Sequence, residues 1–306
     1  MIKTTAGPLS AAIEALSSLA SITGWGLIRG SGNVQEETYA VSGIDGVALA
    51  TIGTVHVEIG ENEGLRVVAE DNLLDQFRIE VMGDTLYIES NELVVLHPTE
   101  PVEFFLTAKA LNSITVSGSG DVDAPALEAD EFEIDVSGSG SVSIAELVTR
   151  VLDVKISGSG ASIISGGELG DQCIDVMGSG IHRAGEAGAV EAQQIAVKVI
   201  GSGKVELGKL DAVDLDVRIT GAGKVSAAGG KVDAQKVNIS GSGQYRSADL
   251  GSGQADVKIV GSGSARVWAS EHLHAKVRGS GNVYYRGAPT VRESVAGSGG
   301  IGSISC

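Results

Sequence analysis

The strongest constraint on this chain is a tripeptide that returns on a near-fixed period. Gly-Ser-Gly, as in "ITVSGSGDV" at 114–122, recurs with its first glycine at Gly118, Gly138, Gly158, Gly178, Gly201, Gly221, Gly241, Gly261, Gly279 and Gly297. The steps are 20, 20, 20, 23, 20, 20, 20, 18 and 18 residues. Gly221-Ala222-Gly223 shows that the middle serine is not obligatory, and Gly251-Ser252-Gly253 is an extra triplet inside one unit. A period in this range marks an architecture of stacked repeats.

The flanks keep the same register. Two residues before each triplet stand Val116, Val136, Ile156, Val176, Val199, Ile219, Ile239, Ile259, Val277 and Val295. Four residues before stand Ile114, Ile134, Val154, Ile174, Val197, Val217, Val237, Val257 and Ala275. Between them lie Thr115, Asp135, Lys155, Asp175, Lys198, Arg218, Asn238, Lys258 and Lys276. Strict alternation with β-branched residues on one side is a strand with one buried face. A second short strand follows each triplet at Val122, Val142, Val205, Val225 and Val283. Such a unit is too short for a propeller blade of ~40 residues and lacks any helical pattern. It fits one coil of a parallel β-helix, stacked at ~4.8 Å. The glycines are then corners, where positive φ and close backbone approach are needed, and serine hydroxyls are available for local hydrogen bonds. The outward column that alternates Asp135, Lys155, Asp175 and Lys198 reads as an ion ladder that relieves like-charge stacking.

Composition narrows the function classes. The chain of 306 residues has a formal charge of −17. Residues 1–110 hold 16 acids against 5 bases, and residues 111–306 hold 23 against 17. This balance argues against nucleic acid and anionic membrane surfaces as partners. Only Cys173 and Cys306 are present, so no disulfide framework and no metal-type spacing exists. No apolar stretch is long enough for a transmembrane helix.

Residues 1–29 read as an N-terminal extension. Leu9, Ile13, Leu16 and Leu19 form a stripe after Pro8, which predicts an amphipathic helix over 8–20. Residues 30–110 read as strands without the 20-residue clock: "TVHVEIG", "LRVVAE", "FRIEVMG", "DTLYIES" and "PVEFFLTA", with a tight turn at Gly83-Asp84. They form either irregular coils or a cap on the N-terminal end of the solenoid, and Gly30-Ser31-Gly32 already has the corner signature. Residues 111–306 are the regular solenoid.

Motifs that could carry chemistry resolve into corners. Gly297-Ser298-Gly299-Gly300-Ile301-Gly302 matches a dinucleotide pattern by letter but has no helix after it. "GAGKVS" at 221–226 lacks the upstream glycine and the hydroxyl residue of a phosphate-binding loop. His272 and His274 share a strand face with Asp256 one coil earlier, which is at most a sparse metal set. Asp121 and Asp123 make an acidic pair that occurs once. No metal, cofactor or catalytic residue is expected, and no carboxylate pair for polysaccharide chemistry stands out.

The order of motifs resembles the head-GIN domain family, catalogued as putative auto-transporter adhesins. The resemblance rests on "IRGSGNV" at 28–34, "AEDNLLDQFRIEV" at 69–81, "GDTLYIE" at 83–89, "SITVSGSGDV" at 113–122 and "VRGSGNVYYRGAPTVRESVAGSGGI" at 277–301. It implies a right-handed all-β helix in a bacterial cell-surface or extracellular setting, with no catalytic residues to carry over. Trp25 stands where a lipobox would place cysteine, so lipid anchoring by that route is not expected.

The chain therefore reads as an all-β, right-handed parallel β-helix with a short N-terminal amphipathic helix. Its expected role is non-enzymatic and structural or adhesive, at the cell surface or outside the cell. The last coil ends in "GGIGSISC" without a polar cap, which points to head-to-tail self-assembly. Leu9, Ile13, Leu16, Leu19, Ile301, Ile304 and Cys306 are the candidate assembly residues, and Trp268, Tyr284 and Tyr285 the candidate partner contacts. The expected partners are further copies of the chain and cell-surface or matrix components. The alternatives are a monomeric surface module that binds carbohydrate or protein and, behind it, a polysaccharide-active enzyme.

Overall fold

The computed structural model describes residues 26–91, 94–185, 188–189 and 191–304. The helix expected at 8–20 with Leu9, Ile13, Leu16 and Leu19, as well as Trp25 and Cys306, lies outside the described residues.

The protein is a parallel β-solenoid of roughly 20-residue coils. Its first third contains β1 (Gly26–Arg29), β2 (Val34–Tyr39), β3 (Gly46–Ala50), β4 (Thr54–Ile59), β5 (Gly64–Glu70), a one-turn helix α1 (Asp71–Leu74), β6 (Phe77–Met82), β7 (Thr85–Ser90), β8 (Val94–His97) and β9 (Glu103–Ala108). The regular coils run through β10 (Ser113–Val116), β11 (Asp121–Val136), β12 (Ser141–Gly158), β13 (Ala161–Gly178), β14 (Ile181–Ala184), β15 (Gly188–Ala189), β16 (Ala192–Gly201), β17 (Lys204–Gly221), β18 (Lys224–Gly241), β19 (Gln244–Gly261), β20 (Ser264–Gly279), β21 (Asn282–Arg286), β22 (Thr290–Ala296) and β23 (Gly300–Ser303).

Each regular coil lies on the one before it in parallel register. Val122 pairs with Val142, Leu152 with Gln172, Val217 with Val237 and Val257 with Ala275. The alternating columns read from the sequence are the inward columns, and one hydrophobic core extends from Val41 to Val283. Each fully buried Val or Ile side chain contributes about 1.5–3 kcal/mol relative to exposure.

The corners work through the backbone. Ser202, Ala222, Ser242 and Ser262 each donate their N–H to the carbonyl of the first corner glycine one coil earlier, at 2.8–2.9 Å. Ala222 makes this bond without a hydroxyl, so the serine side chain expected to help is not what holds the corner. Gly221 shows what requires glycine: φ is +111°, and a Cβ there would stand 2.5 Å from the carbonyl oxygen of Gly201.

The first third has a topology the period does not reveal. β3 lies between β7 and β10, and β4 lies between β9 and β11, all parallel. The coil 46–59 is thus stacked between residues 85–108 and the first regular coil, out of chain order. Antiparallel strands cover the outer side: β6 on β7, β5 on β9 and β2 on β5. Gly83 (φ +68°) makes the β6–β7 hairpin turn expected at Gly83-Asp84. At the opposite end β22 pairs with β20, and β23 with β21. Among the described residues, no strand lies beyond them.

Candidate functional site

At the N-terminal end, two of the sequence motifs meet. Gly30-Ser31-Gly32 is not a stacked corner. It is gripped by Glu70-Asp71-Asn72 at the start of α1. Glu70 is fully buried and accepts N–H groups from Gly32 (2.7 Å) and Thr99 (2.9 Å) and the Thr99 hydroxyl (2.5 Å). Burial pushes its carboxyl up, but the donors from Thr99, Gly32 and Glu100 outweigh that and hold it below the usual carboxylate range. Asp71 accepts from the Ser31 hydroxyl and the Asn33 amide, and Asn72 bridges the Ser31 N–H and the Arg29 carbonyl. A Cβ at Gly30 would fall inside the Glu70 carboxylate, so glycine here makes room for a charge rather than for a turn. With its oxygens occupied by donors of the chain itself, this acidic group is a clasp.

At the C-terminal end, β22 is exposed along most of its length. Ile301 is half-buried and packs against the core, and the Ile304 N–H donates to the Tyr285 carbonyl at 2.9 Å. Ile301 and Ile304 therefore lie in the last coil, while Cys306 lies beyond the described residues. Trp268 (40 % exposed) and Tyr284 (37 %) are the exposed aromatics among the described residues, and Tyr285 packs against the core.

Charge is distributed unevenly along the stack. Residues 241–306 carry 7 Lys and Arg against 4 Asp and Glu, whereas residues 1–240 carry 15 against 35. The N-terminal edge strand β2 adds Glu36 and Glu37 to that acidic side, with Glu36 paired to Arg66.

The interior holds two polar islands that the apolar columns did not announce. In one, Gln235 joins Tyr245, Ser247 and Ser252 through hydrogen bonds of 2.8–3.2 Å and also donates to the Trp268 carbonyl. Burial pushes the Tyr245 phenol far up. Ser252 belongs to the extra Gly-Ser-Gly triplet, which serves this network and not a corner of the main column. In the other, buried His182 lies 3.3 Å from the Ser162 hydroxyl through Nδ1, and its Nε2 has no partner among the described residues; in a separate column, buried Gln172 likewise leaves its Oε1 without one. Burial pulls the His182 pKa down to about 4.

The other sequence candidates are ordinary surface features. His274 Nδ1 lies 3.4 Å from Asp256 Oδ2, both exposed, and no group of three metal-ligating residues occurs among the described residues. Asp121 accepts from the Ser141 N–H and hydroxyl. The ion ladder is real but shifted: Lys155 reaches Glu133 (2.8 Å) and Asp153 (3.5 Å), and Lys198 reaches Asp175 (3.5 Å). Cys173 is exposed beside Asp153, with its thiol pKa raised by partial burial and by the neighbouring carboxylates.

Parallel coils with glycine corners, a clasped first end and a periodic second end define a β-solenoid class in which the sequence motifs themselves hold the cap together. The model of the family described as "Putative auto-transporter adhesin, head GIN domain" matches residues 43–192 and 186–289, and the chain belongs to this head GIN domain family. No curated protein matches the sequence. Among solved structures, a "putative lipid binding protein" from Parabacteroides distasonis ATCC 8503 is similar at 23% identity and a TM-score of 0.51, over 91% of this chain and 100% of that one. A "putative adhesin" from the same organism is similar at 18% identity and a TM-score of 0.50, with the same coverage. At these identities the likeness is one of fold.

Proposed function

We propose that this protein is a non-enzymatic, surface-located adhesin-like scaffold whose solenoids add end to end. The family description supports the adhesive, surface-located part. The observation that carries assembly is the mismatch of the two ends. The outer edges of β22 and β23 carry no further strand among the described residues, and they sit in the part of the chain with a positive balance. The opposite end carries the edge strands β2 and β6 on the strongly acidic side. An exposed strand edge recruits another strand, and opposite charge sets the direction of approach. A contact between unlike ends does not close on itself and propagates.

Negative-stain electron microscopy over a concentration series tests this, at low salt and at 1 M NaCl. Filaments with an axial repeat of one solenoid that shorten in high salt are the expected result. Discrete single solenoids at every concentration would overturn end-to-end assembly and leave a surface module that binds other molecules.

A further inference from the structure

We propose that the outward face of the C-terminal coils is a binding site for an acidic carbohydrate chain, held by Arg246, Arg266, Trp268, Tyr284 and Arg286. This gives the adhesive reading a ligand class and rests on it, but it does not require end-to-end assembly.

The register builds the site. Arg246, Arg266 and Tyr284 form one outward column on successive coils, and Trp268 and Arg286 form the next. Arg266 and Trp268 are two apart on one strand, as are Tyr284 and Arg286, so all four project from one sheet face. The result is a checkerboard in which each of Arg266 and Arg286 has an aromatic beside it both along the strand and across to the next coil. The Arg266 guanidinium lies 6.0 Å from the Tyr284 ring centre. Trp268 packs beside Gly251 and Gly287, positions where no side chain crowds the indole. Arg286 is fixed by the Ala248 carbonyl and Asp249, whereas Arg246 contacts only the neutral Gln244 and Arg266 makes no ion pair among the described residues.

Two features separate this face from a merely solvated surface. The protein is poor in aromatics, yet the two exposed ones among the described residues lie on adjacent coils of one face. It also carries a charge of −17, yet Arg246 and Arg266, stacked in register beside these aromatics, make no ion pair among the described residues. Arginine takes carboxylate or sulfate in a bidentate fork, and aromatic faces stack on the apolar faces of pyranose rings. Coils repeat every ~4.8 Å, about the length of one sugar unit, so a chain running along the stack meets the same chemistry at successive residues. The acidic N-terminal third does not cancel this field, because it lies many coils away and the screening length is about 8 Å at physiological salt. Nucleic acid fits less well, since the stacked bases Lys198, Arg218, Lys258 and Lys276 lie on the strands before the glycine corner, off the face that carries the aromatics.

Isothermal titration of the full chain with galacturonic acid oligomers, against the same oligomers after carboxyl reduction, tests the proposal. Binding of the acidic form alone, weakened at least about tenfold by Arg266→Gln and by Trp268→Ala with unchanged circular dichroism, is the expected result. Four results would each overturn it: no binding of either the acidic oligomers or dextran sulfate, equal binding of the reduced oligomers, binding indifferent to both substitutions, or tighter binding of an oligothymidine. Should the two variants alter sedimentation of the protein but not sugar binding, the face is a contact between copies and the proposal falls. Filament formation is read separately by microscopy, so its failure leaves this test intact.

Discussion

At the N-terminal end the outermost parallel strands, β7 and β9, are covered by antiparallel β6 and β5, and the Glu70 clasp ties the entering chain down. At the C-terminal end β22 and β23 repeat the pattern of the coils before them. The same tripeptide serves both regions in different ways. In the coils, Gly-Ser-Gly lets one backbone lie on the next, and the corner glycines are crowded by carbonyls of the preceding coil. In the clasp, Gly32 has φ +81° and a methyl group at its Cα would meet nothing within 4 Å, while Gly30 yields its space to a carboxylate. A closed end is thus made from polar chemistry that occurs once, and a periodic stack from steric exclusion that is repeated.

Substitution at matched glycines sharpens this contrast most. Gly221→Ala combines left-handed strain with a clash against Gly201 and is expected to cost about 3 kcal/mol, read as a global loss in urea unfolding. Gly32→Ala meets only the strain and is expected to cost about 1 kcal/mol. Equal costs would break the distinction.

Acid probes the coils next. His182 is neutral in the folded protein with a pKa of about 4, against 6.5 when unfolded. The unfolded chain therefore binds the extra proton first as pH falls. Stability is complete above pH 6.5 and declines by about 3 kcal/mol towards pH 4, a slope that His182→Leu should flatten. An unchanged slope in that variant would mean that the buried imidazole does not govern it.

Glu70→Gln gives the smallest and most local effect. Its carboxylate, held below the usual range, loses its donors only in strong acid, so the wild-type clasp loosens below about pH 4. The amide replaces an acceptor with a donor facing the N–H groups of Gly32 and Thr99. Hydrogen exchange is expected to accelerate in β1 and β2 while the coils beyond β10 keep their protection. Uniform acceleration along the chain would show that the clasp and the stack unfold together.

Much of this was legible in sequence. The coils were, because the inward columns and corner glycines obey one period, and the strands from "TVHVEIG" to "PVEFFLTA" fall where alternation puts them. The coil 46–59 escaped the clock because its corner is Thr51-Ile52-Gly53, which keeps only the last glycine. The clasp was hidden because Gly30-Ser31-Gly32 has the letters of a corner; the partners that change its meaning, Glu70 to Asn72, lie some 40 residues further along the chain. The interior polar islands were missed because Ser162, His182, Gln172 and Gln235 occupy columns that are otherwise apolar. The missing signal was available there, as a break in a column. The aromatic–arginine face was half legible: Trp268 and Tyr284 stood out by type, but the pairing with arginines needs the register of adjacent coils.

The placement of β3 between β7 and β10 carries a kinetic consequence. Residues 46–59 leave the ribosome early, yet both of their parallel neighbours are made later, closing loops of 39 and 67 residues. This coil has no complete parallel neighbour until β7 and β9 are finished at Ala108, and its second, β10 and β11, comes later still, whereas each coil after β11 finds its template already formed. Non-local closure of this kind is slow, and stepwise addition of neighbours is fast. Residues 46–59 are therefore the part of the chain that waits without a parallel neighbour, while the regular coils zip up in order.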